Sequence, residues 1–269
     1  MKHVRALPAQ PPLLQQYCTN HPNEPLRPAN EARFTWDTFK ADGPAYIELL
    51  RWLTQAQQGI CIYCEQRLVD ADGELVAMDY QVEHVLPKSG AVGRVLDWKN
   101  LALACCGGTY PYHSDVTRRY ASTMNTSCGQ EKDASDLSCD PRNLPLLDPL
   151  VKVGINGKLG VDAGNCAAAG VSVIDVDDAV RLLNLDCERL RKARQDIGDQ
   201  VRSWFVFMLE EIASPRLSHV QKQTAVDLLV ATRLQPDAEG NLLRFWSAER
   251  SAIGEPAEKW LGAHQALFV

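Results

Sequence analysis

Four cysteines constrain this chain more than any other feature. Cys61 and Cys64 form a C-x2-C knuckle; forty residues then separate Cys64 from Cys105, and 22 separate Cys105 from Cys128. Thiolates at such spacing suit tetrahedral zinc, and a closed site of that kind staples loop-rich chain that packing alone would not close. Cys106 competes with Cys105 for the third place, because adjacent residues do not comfortably share one ion. A C-x2-C pair also suits thiol redox chemistry, but the βαβ context of a thioredoxin-like motif is missing. Cys18, Cys139, Cys166 and Cys187 lack paired spacing and read as core or surface thiols.

An odd count of nine cysteines fits a disulfide framework poorly. The N-terminal MKHVRALPAQ has no apolar signal core, and no run of 18 apolar residues occurs, so the sequence reads as cytoplasmic with no membrane partner. At 269 residues and 45% hydrophobic, the chain can bury a core without disulfides, as one large domain or two. A net charge of −6 argues against a protein that coats nucleic acid indiscriminately. It leaves room for a local basic patch, or for affinity borrowed from a partner.

Three stretches follow from composition. Residues 1–60 read as a Pro-rich extended leader and a helix from Pro44 to Gln58, with Tyr46, Leu49, Leu50 and Leu53 at helical spacing and Gly59 as its stop. Residues 61–135 hold the cysteines, with a β-hairpin expected around the turn at Asp70–Gly73. Residues 136–269 begin as Pro- and Gly-rich loop and short strand to about 173. They turn helical where Asp177 can cap an amphipathic run through Val180, Leu183, Leu190, Ile197, Val201 and Phe205. A second amphipathic stretch spans about Ser218 to Leu234. The fold class expected is α+β.

Between the cysteine pairs lies Glu83-His84-Val85-Leu86-Pro87-Lys88-Ser89. On a regular strand, Glu83 and His84 would face opposite ways; a bend would let both reach one phosphate. Phosphodiester hydrolysis needs those two functions, a carboxylate to hold a divalent cation and a neutral imidazole to take a proton from water. Asn100, after Trp98-Lys99, can bridge backbone groups across the loop or orient the histidine strand. Lys88, Arg118 and Arg119 are candidates to hold a nucleic-acid backbone, and Tyr110, Tyr112 and Tyr120 could stack on bases or form a small local core.

The series C-x2-C, Glu-His-x2-Pro, Asn-Leu, Cys and Cys-x3-Lys resembles the HNH endonucleases of the zinc-stapled ββα-metal type. Its flanks narrow the resemblance. Trp36, Cys61-Ile-Tyr-Cys64-Glu65, Asn100-Leu101-x3-Cys105, Cys128-Gly129-x2-Lys132, Leu147-Asp148-Pro149 and Leu183-Asn184-Leu185-Asp186-x3-Leu190-x3-Arg194 are similar to the HNH proteins of Septu-type and retron-associated anti-phage systems (PtuB-like). The resemblance covers about residues 30–195 and implies an ABC-type ATPase subunit (PtuA-like) as partner, with nucleic acid as substrate and DNA ahead of RNA. It makes His84 the general base, Asn100 the middle Asn of the family name, and Glu83 a ligand of catalytic Mg²⁺ or Mn²⁺. Cys61, Cys64, Cys105 and Cys128 become the structural Zn²⁺ ligands. Gln130 takes the last cation-ligand place, with Glu131, Asp133 or a folded-back His113 as alternatives. The other reading of the residues is a zinc-stapled nucleic-acid- or protein-binding module without catalysis.

Overall fold

The computed structural model describes residues 2–110, 123–213 and 215–268. Helices dominate and strands are few and short, which makes the chain α+β. The N-terminal stretch is more helical than its proline content predicts. Pro12 opens α1 (Pro12–Asn20), where a missing N–H costs nothing, and α2 (Ala32–Ala41) follows a single 3₁₀ turn. Next comes α3 (Gly43–Ala56), capped by Asp42, whose carboxylate accepts from Ala45 N. Leu49, Leu50 and Leu53 form its buried face, as their spacing predicts.

The expected hairpin around residues 70–73 is only partly built. Two isolated bridges, Ile60↔Arg67 and Val69↔Leu75, close it, and Asp70 Oδ1 accepts from the backbone N–H of both Asp72 and Glu74. The regular ladder is β1 (Tyr80–His84) against β2 (Leu101–Cys105), antiparallel, with His84 opposite Leu101 and Tyr80 opposite Cys105. Every residue of β2 is buried. Its outer edge is closed by Ile62, whose N–H donates to Leu103 O, and by the side chain of Gln57, which exchanges two hydrogen bonds with the Leu103 backbone. A one-turn helix, α4 (Gly129–Lys132), packs beside β1.

A second small ladder, β3 (Val151–Val153) with β4 (Leu159–Val161), leads into α5 (Ala163–Ala169). The single run expected from Asp177 is instead two helices, α6 (Val173–Leu182) and α7 (Glu188–Ile212). Ser172 caps α6, and Asp177 lies within it. The break at 183–187, with Asn184 at φ 46°, has a physical use: Leu183 O accepts from Cys128 N, and Asn184 Nδ2 donates to Thr126 O. The turn between the two helices therefore holds the last cysteine. α8 (His219–Leu234) begins at Ser218 with a full capping box. α9 (Trp246–Ile253) and α10 (Glu255–Ala263) close the chain against α7 and α8.

One hydrophobic core runs from Val4 through the cysteine region to Phe268. Polar ties reinforce it. Phe245 N donates to Glu65 O, and the buried Glu65 carboxylate accepts from the N–H and hydroxyl of Ser247 at the start of α9. No helix is long and apolar enough to cross a membrane among the described residues.

Candidate metal centre and active site

The four cysteines converge. Their sulfurs all lie within 4.8 Å of one another, every one of them buried. The separations Cys64–Cys105 and Cys105–Cys128 are 3.6 Å, and Cys61–Cys128 is 4.0 Å. A tetrahedral ion with Zn–S bonds of about 2.3 Å would space its sulfurs about 3.8 Å apart, so the cluster is compatible with structural zinc. The choice between neighbours falls to Cys105, because the Cys106 thiol turns away to donate to Met78 O. Gly107 N and Ser127 Oγ point hydrogen bonds at the Cys105 and Cys128 sulfurs, as partners of metal-bound thiolates do. Gly107 must be glycine: its φ is +59°, and a Cβ there would lie 2.2 Å from Ser127 O. Cys139, Cys166 and Cys187 are buried thiols away from the cluster, and Cys18 is half-buried.

Beside the cluster, a cleft of about 290 Å³ opens along β1 and α4. Its walls include Glu83, His84, Lys88, Gly129, Gln130 and Asp133. His84 ends β1, and its Nε2 lies 3.0 Å from Val95 O. A carbonyl only accepts, so Nε2 carries the proton and Nδ1 keeps its lone pair. The Trp36 ring, from α2, meets the imidazole edge-on at 4.8 Å between centroids. Burial pushes the imidazole down to about pKa 4, against the Val95 hydrogen bond, which favours the charged form. The ring is therefore neutral, and in its base form, at pH 7.

Glu83 is also buried, and two groups share its Oε1: the Tyr63 hydroxyl donates at 3.1 Å and Lys132 Nζ approaches to 3.2 Å. Burial raises the carboxyl above its ordinary range, while Lys132 and Tyr63 pull it back toward the ionised form. Lys132, itself buried, also donates to His84 O and so ties the end of β1 to α4. No hydrogen bond occupies Oε2 among the described residues. It faces Gly129, where a Cβ would lie 2.2 Å from it and 2.7 Å from Gln81 Nε2.

That gap, the carboxylate oxygen without a hydrogen bond and the Gln130 amide in the same cleft wall are compatible with a hard divalent cation, which takes a carboxylate or two and fills its remaining positions with water or phosphate. Gln130 Nε2 donates to Gln81 Oε1 at 2.6 Å, so the two amides form one unit at the cleft wall. Glu131 instead accepts from the Thr126 hydroxyl, and Asp133 is exposed at the cleft rim. Among the described residues, the cysteine cluster is the one group of three or more Cys, His, Asp or Glu ligand atoms close enough to hold an ion.

Asn100 is buried immediately before β2. Its Oδ1 accepts from Leu86 N at 2.7 Å, and its Nδ2 donates to Leu86 O and Arg94 O. It staples the 86–94 loop that carries Lys88, and Val95 O beyond it receives His84. Lys88 is half-buried in the cleft wall, with its pKa lowered by that burial. Arg118, Arg119, His113, Tyr112 and Tyr120 lie outside the described residues. Tyr110 is exposed.

Sequence reasoning gave no role to Tyr63, Lys132, Gln81 or the Val95 carbonyl. Tyr63 and Lys132 stand inside the quoted motifs, so their positions were visible but their shared partner was not. The Leu183–Arg194 motif turns out to be scaffolding. Arg194 is buried, donates to Asp186 Oδ1 at 3.0 Å, and its Nε reaches Gly157 O in the β3–β4 turn.

The chain is similar to an Escherichia coli protein named "Retron Ec83 putative HNH endonuclease". The two are 28% identical over 191 residues, covering 61% of this chain and 70% of that protein. No family model matches the chain. A distant relative so named supports a nuclease function in a retron context, and the cysteine cluster agrees with a metal-stapled member of that class.

Proposed function

We propose that this protein is a metal-dependent HNH endonuclease that hydrolyses phosphodiester bonds in nucleic acid, with DNA favoured over RNA. The observation that carries the reading is the pairing of His84 and Glu83 at one cleft: a neutral imidazole with its tautomer set by Val95 O, beside a carboxylate whose Oε1 is held by Tyr63 and Lys132 and whose Oε2 takes no hydrogen bond among the described residues. The antiparallel β1–β2 pair, the short α4 and the cysteine cluster support a ββα-metal module as its frame.

In this reading His84 Nδ1 takes the proton from the attacking water, and Lys88 steadies the phosphate backbone. Glu83 Oε2, with Gln130, would hold Mg²⁺ or Mn²⁺, and the cation would supply charge that neutralises the departing oxygen. Cys61, Cys64, Cys105 and Cys128 would hold structural Zn²⁺.

The test is cleavage of supercoiled plasmid by wild type and His84→Ala, each with Mn²⁺ and with EDTA. Nicking by wild type with metal alone is expected. Equal nicking by both proteins would remove His84 from the chemistry. An ABC-type ATPase subunit (PtuA-like) belongs to the same proposal, as the partner of an anti-phage defence complex. The net charge of −6 favours binding of nucleic acid that is tighter in the assembly than in the isolated subunit. Val206 and Phe207, each more than half exposed on α7, are where its docking is tested, by co-purification of a Val206→Ser, Phe207→Ser variant. Undiminished co-purification would move the interface elsewhere.

A further inference from the structure

The cysteine knuckle and the cleft share a side chain. Tyr63 sits between ligand positions Cys61 and Cys64, is fully buried, and donates its hydroxyl to Glu83 Oε1 at 3.1 Å. Lys132, four residues beyond Cys128, reaches the same oxygen at 3.2 Å. Both holders of Oε1 thus come from chain that the cysteine cluster fixes in place. The other oxygen, Oε2, is left against the Cβ-less backbone of Gly129, in the wall of the cleft. A carboxylate free to rotate would offer either oxygen in many orientations; this one has a single orientation set from outside the cleft.

We infer that Tyr63 is a positioning residue for Glu83. Its hydroxyl fixes which carboxylate oxygen is offered to a divalent cation in the cleft, and so links cation affinity there to the integrity of the cysteine knuckle. The inference rests on Glu83 holding that cation, as proposed above. Tyr63 separates the effect more cleanly than Lys132, because Tyr63→Phe removes one hydrogen bond without changing charge or ring volume, whereas any neutral replacement of Lys132 alters the field at the carboxylate. Loss of a hydrogen-bond partner behind a metal-binding group typically weakens metal binding about 10–100-fold.

The experiment measures Mn²⁺ binding by the electron paramagnetic resonance signal of free Mn²⁺, on the full-length, zinc-loaded chain as wild type, Tyr63→Phe and Glu83→Ala. Zinc content and melting temperature are measured alongside. Tyr63→Phe is expected to keep its zinc and melt close to wild type while its Mn²⁺ Kd rises about tenfold. The Mn²⁺ concentration giving half-maximal plasmid nicking should rise by the same factor, with less change in rate at saturation. Wild-type Mn²⁺ affinity in Tyr63→Phe, with binding lost in Glu83→Ala, overturns the positioning role and leaves the Glu83 reading standing. Equal binding, or none, by wild type and Glu83→Ala overturns both. Zinc loss from Tyr63→Phe also overturns the inference, because the hydroxyl would then serve the knuckle rather than the carboxylate.

Discussion

Lys132 and Glu83 bury a full charge pair beside a neutral histidine, and the consequences at the residue scale are opposite in sign for the two groups. Removing one member of a buried pair strands the other, at a cost of about 3–5 kcal/mol, whereas removing both with apolar replacements is often close to neutral. Glu83→Ala should therefore destabilise by about that amount, and Glu83→Ala with Lys132→Met should recover much of it. Urea unfolding of the two singles and the double gives the cycle. An additive double would mean that the contact at 3.2 Å carries no energy. His84 works the other way. Its imidazole sits at about pKa 4 in the fold against 6.5 in the unfolded chain. Between those values the unfolded state binds the extra proton, so stability is full above pH 6.5 and declines as pH falls toward 4. From pH 6.5 to pH 5 wild type should lose about 2 kcal/mol through this one residue, and His84→Gln should not. Matching pH profiles for the two would place the imidazole in water rather than under Trp36.

At the scale of elements, the positions that matter are turns. The C-x2-C knuckle closes through Glu65, at φ 66°, whose N–H donates to Cys61 O; the turn after Cys105 closes through Gly107. Gly107→Ala meets the carbonyl of Ser127 head-on, so the Cys105 and Cys128 sulfurs cannot keep their 3.6 Å separation. Purified Gly107→Ala is expected to carry well under one zinc per chain and to melt lower than wild type. Full zinc occupancy would show that the turn can open without cost. Two helices were readable in their limits: α3 and α8 fall where their apolar spacing places them, whereas α1 and α2 lie in the stretch expected to be extended. The α6–α7 break was not readable, because Leu183 and Leu190 keep helical spacing across it. What breaks the helix is a tertiary demand, the hydrogen bonds that Leu183 O and Asn184 make to the chain around Cys128.

Over the whole molecule, the three stretches that composition separates share one core. The N-terminal strap is tied at Val4 to Pro141 O, and the C-terminal segment at Ser247 to Glu65, immediately after the knuckle. Zinc removal should accordingly be felt far from the cysteines. Chelation of the purified protein is expected to lower its melting temperature by more than about 10 °C, since structural zinc contributes on the order of 10 kcal/mol in small domains. Calorimetry with and without chelator checks this. An unchanged melt would mean that packing alone closes the cysteine region. The same continuity means that removing residues 175–269 would take α7 and α9 out of the core.

The candidate groups themselves were legible in the chain. Cysteine spacing pointed to a four-thiolate centre, Glu83-His84 suggested a cation ligand beside a base, and Asn100 was expected to bridge a loop, because residue type and short-range spacing dictate what a group can bond. Tertiary structure decided which group meets which. Cys105 rather than Cys106 joins the cluster, Lys132 and Tyr63 meet on one oxygen of Glu83, and Val95 O sets the tautomer of His84. Those partners come from separate segments, some of them nearly fifty residues apart in sequence. Their meeting depends on how β1, the knuckle and α4 pack, and burial, which sets the ionisation of each group, exists only once they have packed.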